Sequence, residues 1–539
     1  MSAFSRRELL TTVLGGAVAA AACRSRPFRP KFAGELYGQN SERGHRLRDG
    51  SCPEAQGVEK RGVVIIGAGA AGLAAAWKLE RSGFHDFEVL ELEDHIGGTS
   101  ASGANRYFAY PWGAHYVPAP RADNTALTEL LTEMGVIQGA DAHGSPIVAE
   151  ELLCRAPQER LFIGGRWEEG LFPRLGASRE DLRQLQAFNA EVDRWVGFRD
   201  LQGRRAFTVP STAGGDHPDL DALDQISMAE WLRQRRWDSR RLRWFIEYGC
   251  RDDYGGTLDT ISAYAGLFYF AARVDRPGDK GAEFIAWPEG NDRIIQHLAG
   301  AADGRIRTAI GVADVVPLPR GVRVKAVDFH RGPLAFEADQ VIVALPRYAA
   351  SRIVAPLREA SARPPQPTYS SWVVANITLG TRPREDTFPL AWDNVLYDSK
   401  SLGYVVATHQ LGRDYGPTVW TWYLPLLDGS PAEQRQILQG TDWQHWVDVV
   451  LSDLTRAHPD LIPRILQMDV WRWGHAMVRP TPGLLRSGAL HQARQPIGPI
   501  FFAHTDLSGM ALFEEAQHWG VAAAEAVLTA RGLPFRSSL

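Results

Sequence analysis

The chain has 539 residues, 45% hydrophobic and 23% charged, with 17 tryptophans, which describes a globular protein with ample core and more than one domain. A formal charge of −4 and a pI near 6.4 leave no basic footprint and exclude nucleic acid as the expected partner. The four cysteines, at 23, 52, 154 and 250, show neither CxxC spacing nor paired histidines, so no metal site is expected.

Ser5-Arg6-Arg7-Glu8-Leu9-Leu10 opens an apolar run, Leu9 to Ala22, that is shorter than the about 20 residues a membrane span needs. The paired arginines resemble a twin-arginine export signal, so residues 1–23 are read as a signal and the protein as exported, in the periplasm. Cys23 after Ala20-Ala21-Ala22 faintly resembles a lipoprotein cleavage site. Membrane contact is expected only through this segment or a lipid on Cys23. Residues 24–60 are polar and aperiodic and read as a linker or wrapping arm.

Val63-Val64-Ile65-Ile66 then runs into Gly67-Ala68-Gly69-Ala70-Ala71-Gly72, a helix-favouring segment to Leu79, and a second strand from Phe87 to Glu91. In this strand–turn–helix–strand unit Gly67 allows the tight turn, Gly69 lets the backbone approach a pyrophosphate, and Gly72 lets helix and strand pack. The helix N-terminus offers unpaired N–H groups and partial positive charge to the phosphates. Glu91, 19 residues after Gly72, suits a ribose 2′-hydroxyl and would repel a 2′-phosphate.

Leu127, Leu130, Leu131 and Met134 share one helical face, with Gly135 as a stop. Residues 150–285 read as mainly helical. Strands follow at Ile306–Val316, Gly321–Asp328 and Gln340–Leu345, then a β-rich stretch from Trp372 to Leu424. A helix is predicted over Thr441–His458 with Thr441 as N-cap. Pro499–Ala503 reads as a buried strand, and a last helix is predicted from Glu514 to Leu528.

Three separated motifs make the chain from Arg61 onward resemble the flavin-containing amine oxidase superfamily, which includes monoamine and polyamine oxidases and the carotenoid-desaturase-like enzymes. They are the dinucleotide unit with Gly97-Gly98 after Glu91, the strand set containing Val312 and Val341–Pro346, and Phe502-Ala503-His504-Thr505-Asp506 with Glu514-Glu515-Ala516. The resemblance implies an α/β fold: a Rossmann-type (GR2-like) FAD domain from 61–123, 286–346 and 465–530, with an inserted α+β substrate domain from 124–285 and 347–464. It implies non-covalent FAD held by Gly67, Gly69, Ala71, Gly72, Glu91, Gly97, Gly98, Thr99, Gly113, Ala114, His115, Val312, Asp506, Glu515 and Ala516. Val312 would meet adenine through its backbone, and Asp506 would grip the ribityl chain.

The sequence also departs from the family. Gly97-Gly98-Thr99 lacks the family's arginine at its third position. The strand Ser370–Asn376 lacks the lysine that holds a water at flavin N5; Val374 stands nearest, and Asn376 is the hydrogen-bonding side chain just beyond. By spacing from Pro482-Gly483, His475 and Leu512 take the places of the family's aromatic pair. His475 and Asn376 are therefore the catalytic candidates, His475 as a base titrating near the ordinary imidazole value of about 6.5. Asp252 and Asp253 beside Tyr254 could anchor a cationic amine, and Trp392, Asn394, Tyr397 and Trp473 could line its pocket. A small-molecule amine, either a polyamine or an amino acid, is the expected substrate, with oxygen or another electron acceptor. The alternatives are a desaturase or dehydrogenase on an apolar substrate with a non-oxygen acceptor, and a catalytically inactive binding protein.

Overall fold

The structure, a computed structural model, describes residues 31–48, 53–279, 281, 283–360 and 367–539; the predicted signal and Cys23 lie outside these. Two large sheets organise the described residues, of seven and eight strands. The first is built around Glu59–Ile66, whose residues from Gly62 onward are all buried. Such unbroken apolar runs belong to strands covered on both faces. This strand pairs in parallel with Phe87–Leu90 on one side and with Gly332–Val343 on the other. The far edge of Gly332–Val343 is shared: its first half pairs antiparallel with Val322–Asp328, and its last three residues pair in parallel with Ile500–Phe502. The segments leading to Gly67, Leu345 and Ala503 therefore leave the sheet side by side at its carboxyl edge, although more than 430 positions separate the first and last of them.

The helices Ala70–Arg81 and Phe513–Ala530 cover one face of this sheet. They approach closely because the contact is made of small residues. A Cβ on Gly520 would stand 2.2 Å from the Ala71 carbonyl oxygen.

The second sheet runs, in spatial order, Leu36–Gly38, Ile465–Val478, Tyr369–Leu379, Thr418–Leu426, Tyr404–Val406, Asp393–Leu396, Glu159–Ile163, Arg166–Glu169. Alternation along Tyr369–Leu379 sends Val373, Ala375 and Ile377 into a core closed by the helix Trp443–Leu454. Trp372 and Val374 face the opposite way, into an aromatic cluster with Trp112, Trp392, Tyr423, Trp471 and Trp473. The helices Arg179–Gly197, Pro218–Gln225, Met228–Gln234, Arg240–Tyr254 and Ala263–Ala271 form a third packed unit, closed by Met510 and Leu512.

Several expectations are corrected. The strand Ile465–Val478 belongs to the second sheet, so the boundary set at 465 splits the chain too early; the cofactor-side segment resumes at Ile500. The segment 150–285 is mainly helical as expected, with one hairpin, Glu159–Ile163 and Arg166–Glu169, at its start. The hairpin's turn is Gly164-Gly165, with φ of +60° and +82°, the conformation a two-residue hairpin loop demands. The helix expected over 441–458 is Trp443–Leu454 with Asp442, not Thr441, accepting the capping N–H. A separate helix, Pro431–Gly440, ends just before it.

Finally, the described part of the 24–60 segment is an ordered arm. Leu36–Gly38 adds a parallel strand to Val470–Arg472, and Tyr37 stacks on Trp471 at 6.0 Å. The helix Ser41–Arg48 then crosses to the first sheet, where Arg43 donates to the Leu92 carbonyl (3.0 Å) and Asp94 (2.9 Å), and the Asn40 N–H to Glu93 (2.9 Å). The arm thus ties the loop after Glu91 to the second sheet. Arg43→Ala removes two part-exposed hydrogen bonds and should lower unfolding stability by about 1 kcal/mol, read as a shifted denaturant midpoint at unchanged slope.

Candidate active site

The carboxyl edge of the first sheet forms a groove made largely of glycine. Gly67 has φ +104°, and a Cβ on Gly72 would lie 1.9 Å from the Gly67 carbonyl oxygen. Gly69 caps the helix Ala70–Arg81 with no side chain over its N-terminus, and a Cβ added there would meet nothing within 4 Å. The helix's first N–H groups are thus left to a ligand. Gly97 bridges to Gly69, its N–H donating to the Ala68 carbonyl at 2.8 Å; Gly98 and Thr99 lie exposed beside them. Gly113 and Ala114 continue this wall. The Ala114 N–H donates to the Thr99 carbonyl at 2.9 Å, and a Cβ on Gly113 would stand 2.3 Å from that oxygen.

Two acids flank the groove. Glu91 accepts the Ala68 N–H at 2.7 Å and the Glu93 N–H at 3.0 Å, and its carboxylate retains acceptor capacity for a hydroxyl. The Glu91 carbonyl holds the Ile310 N–H at 2.7 Å, which seats Val312, just before a bulge in its strand, next to this acid. Asp506 is buried. Its Oδ2 accepts from the Arg347 N–H (2.6 Å) and from the Tyr369 hydroxyl. Its Oδ1 lies 3.1 Å from His504 Nδ1 but in no hydrogen-bond geometry with it or with any other donor among the described residues. Burial pushes the Asp506 carboxyl up, but His504, the Arg347 N–H and Tyr369 outweigh it and hold it below the usual range. An ionised oxygen, buried and lacking a donor, fits a ribityl hydroxyl.

Beyond the Gly113–Tyr116 wall lies a cavity of about 30 Å³, a volume that can hold water. Aromatic rings wall it. His115 packs on Tyr423 at 4.9 Å and on Trp392 at 5.5 Å, and Phe284 packs on Tyr116 at 4.9 Å. The Tyr423 hydroxyl donates to the Gly113 carbonyl at 2.9 Å, joining cavity and groove. Three carboxylates line the same space: Glu159, Asp252 and Asp393. Among the described residues no lysine or arginine does, and burial lowers His115 to about 4, so its imidazole is neutral. Arg273 is nearby, but it pairs with Asp253 at 3.1 Å.

Burial and mutual repulsion raise the lining acids. Glu159 reaches about 7 through burial alone, while Asp252 and Asp393 rise through burial and their acidic neighbours. The folded protein therefore holds protons that the unfolded chain sheds near the ordinary carboxylate pKa of about 4. Stability from these groups is full below that value and is lost as pH rises towards about 7. Chemical denaturation of protein free of substrate should show this loss between pH 4 and 7, and Glu159→Gln should flatten it.

The other expected site residues divide sharply. Asp252, Trp392 and His115 line the cavity. Asp253 is neutralised by Arg273. The Tyr254 hydroxyl is spent on the Ala265 carbonyl at 3.0 Å, and Tyr397 packs on Trp244. Asn394 is a buried corner, donating to the Ala391 carbonyl at 2.8 Å and accepting from Arg160. Trp473 donates to the Trp112 carbonyl at 2.7 Å, behind the wall.

Neither catalytic candidate faces the cavity. Asn376 has both amide ends committed, donating to the Pro111 carbonyl at 2.9 Å and accepting from Thr421 at 2.7 Å. His475 stacks on Tyr348 at 4.3 Å. Burial, with Arg435 and Arg352, lowers His475 to about 4, so the ordinary imidazole value assumed for a base does not apply. Glu515 accepts the Ser211 N–H at 2.6 Å and so anchors a loop, and the Ala516 N–H is spent on the Leu512 carbonyl within its helix.

Glu159, Asp393, Tyr248 and Tyr423 are functional candidates that the motifs do not mark. For Glu159 and Asp393 a charge on the inward face of an otherwise apolar strand is the local signal, and at Glu159-Arg160 it reads equally well as an ion pair.

The model of the family described as flavin containing amine oxidoreductase matches residues 70–528. AofH of Mycobacterium tuberculosis, which carries the name of a flavin-containing monoamine oxidase, is 29% identical over 301 residues; the match covers 53% of this chain and 56% of that protein, little more than half of each. Putrescine oxidase of Kocuria rosea is 24% identical over 508 residues, covering 88% of this chain and 96% of that one. The solved structure of a putrescine oxidase bound to putrescine superposes with a TM-score of 0.62 at 19% identity, over 88% of this chain and all of the other, and shows the shared fold. The cofactor is FAD, which when bound supplies a two-electron acceptor, and the glycine groove with Glu91 and Asp506 would hold it. The chain belongs to the flavin-containing amine oxidoreductase family.

Proposed function

We propose that this FAD-dependent oxidoreductase oxidises an amine, the α-carbon giving up a hydride to flavin N5 as the nitrogen lone pair closes a C=N bond. One observation carries the reading. The cavity adjoining the Gly113–Tyr116 wall combines aromatic faces with buried carboxylates and, among the described residues, no cationic side chain, which is the chemistry that draws an ammonium out of water. Asp252 is the group best disposed to take the ammonium proton, because its carboxylate accepts only one long hydrogen bond, from Tyr269 at 3.4 Å, among the described residues. The rings keep water away and hold the neutral amine against the wall.

The absence of a lysine on the Tyr369–Leu379 strand supports a second reading, a desaturase on an apolar substrate that passes its electrons to an acceptor other than oxygen. Anaerobic mixing separates the two. Amines should bleach the flavin's visible band, with the observed rate rising as pH passes about 7 and the cavity acids ionise. Bleaching by uncharged apolar compounds alone would reverse the assignment. We also propose, from Ser5–Leu10, that the protein is exported in folded form.

A further inference from the structure

The helix Ser41–Arg48 cannot stand by itself. Its eight residues, Ser41-Glu42-Arg43-Gly44-His45-Arg46-Leu47-Arg48, carry one apolar side chain and a central glycine, and none of them is buried. So short a segment is a marginal helix in water, and the glycine weakens it further. Asn40 caps it, the Asn40 side chain accepting the Arg43 N–H at 3.0 Å. The rest of its support comes from contacts with the first sheet. The arm that carries it lies ahead of residues 70–528, which the family model matches, and so stands outside the shared core.

Those contacts fall on cofactor-binding elements. Residues 92–94, the loop after Glu91, are each gripped: Arg43 donates to the Leu92 carbonyl (3.0 Å) and to Asp94 (2.9 Å), and the Asn40 N–H donates to Glu93 (2.9 Å). The same loop sets the ribose acid, because the Glu93 N–H donates to Glu91 at 3.0 Å. Arg43 and Arg46 lie over the Phe329 ring, 5.0 and 5.9 Å from its centre. Leu47 seats on Gly311, the neighbour of Val312, where an added Cβ would come within 2.6 Å of the leucine tip. At the arm's other end Tyr37 packs on Trp112 at 5.2 Å, one residue before the Gly113–Tyr116 wall. The arm therefore touches both the elements that suit adenosine and the root of the wall beside the cavity. Yet no residue from 31 to 48 is buried, so the arm can lift without opening a core.

We propose that this arm is a strap for FAD. The cofactor enters and leaves while the helix Ser41–Arg48 is lifted. Once docked through Asn40 and Arg43, the helix holds Glu91 and the Val312 strand in place and slows FAD release. The coupling runs both ways. A cofactor that needs Glu91 and Val312 ordered favours the docked helix by the same factor by which the docked helix favours the cofactor. The strap acts on the cofactor alone and is independent of which compound is oxidised.

The experiment compares FAD release and hydrogen exchange in flavin-loaded wild-type, Arg43→Ala and Arg43→Lys proteins. Release is read as the flavin still on the protein after timed passage through a desalting column. Arg43→Ala should release FAD roughly five- to tenfold faster, the loss expected for two part-exposed hydrogen bonds, one of them to a charged group. Backbone amides of residues 42–48 should exchange faster by a similar factor. Arg43→Lys keeps the charge but lacks the fork that serves Leu92 and Asp94 together, and should fall between. Arg241→Ala is the control. Arg241 also donates to a carbonyl, that of Pro173 at 2.6 Å, and lies 3.8 Å from an acid, Asp181, but in the helical unit. Its loss should leave FAD release at the wild-type rate.

Unchanged release from Arg43→Ala, with or without faster exchange at 42–48, would overturn the strap. Equal acceleration by Arg241→Ala would overturn it too, because that marks a loss of general stability. If Arg43→Ala retains no flavin, the comparison of Arg43→Lys with Arg241→Ala decides in the same terms.

Discussion

Gly72→Val is expected to yield no flavin-loaded protein. The new Cβ would lie 1.9 Å from the Gly67 carbonyl oxygen, a backbone atom that cannot swing aside as a side-chain tip can. The helix Ala70–Arg81 would have to lift from the strand Glu59–Ile66. Its other side is held as tightly, because Gly520 brings the last helix against Ala71 and Ala74. Lifting the helix therefore moves its N-terminus away from Gly97-Gly98 and opens the phosphate groove. The ratio of flavin to protein absorbance in purified material measures the effect. Gly57→Ala, where a Cβ meets nothing within 4 Å, is the control that should keep its full flavin complement.

Asp506→Ala should be nearly as severe. It strips the acceptor from the Arg347 N–H and from the Tyr369 hydroxyl, which is buried. Each stranded donor costs about 1–3 kcal/mol. An unfolding free energy lower by roughly 3–4 kcal/mol is therefore expected, with weakened FAD retention from the loss of Oδ1. Asp506→Asn should fall between wild type and alanine. Because the folded carboxyl lies below its usual range, the stability it contributes is present above the unfolded carboxylate pKa and is lost as pH falls through the folded value. The gap between wild type and Asp506→Asn should accordingly close in strong acid, as thermal unfolding across pH would show.

What could be read from the residues was local or followed a fixed spacing. The run Val63–Gly72 dictates strand, turn and helix from its own composition, and Glu91 stands at the distance the unit's geometry requires. Asp506 is legible only through the resemblance of Phe502–Asp506 with Glu514–Ala516 to the family's carboxyl-terminal segment. The cavity had no such signature. Glu159 and Asp393 meet only because two strands separated by 234 positions pair in parallel, and nothing along either segment announces that register.

The same limit explains the misplaced edge at 465. An aromatic-rich strand near the carboxyl-terminal motif looks like part of it, yet its partner is Tyr369–Leu379. The hairpin at Glu159–Glu169 was legible in principle, since Gly164-Gly165 between apolar stretches is a turn signal. His475 and Asn376 are candidates only through their match to the positions of the family's aromatic pair and lysine. Only packing reveals that one ring is stacked away and the other amide fully used.

The most direct test is the crystal structure of the flavin-loaded protein. A ribityl hydroxyl should donate to Asp506 Oδ1, the pyrophosphate should lie over Gly69 and Gly98, and the flavin ring should run along Gly113–Tyr116 with its reactive edge open to the cavity of Tyr423, Asp252 and Glu159. A ring seated elsewhere, or separated from those carboxylates by packed side chains, would contradict the account.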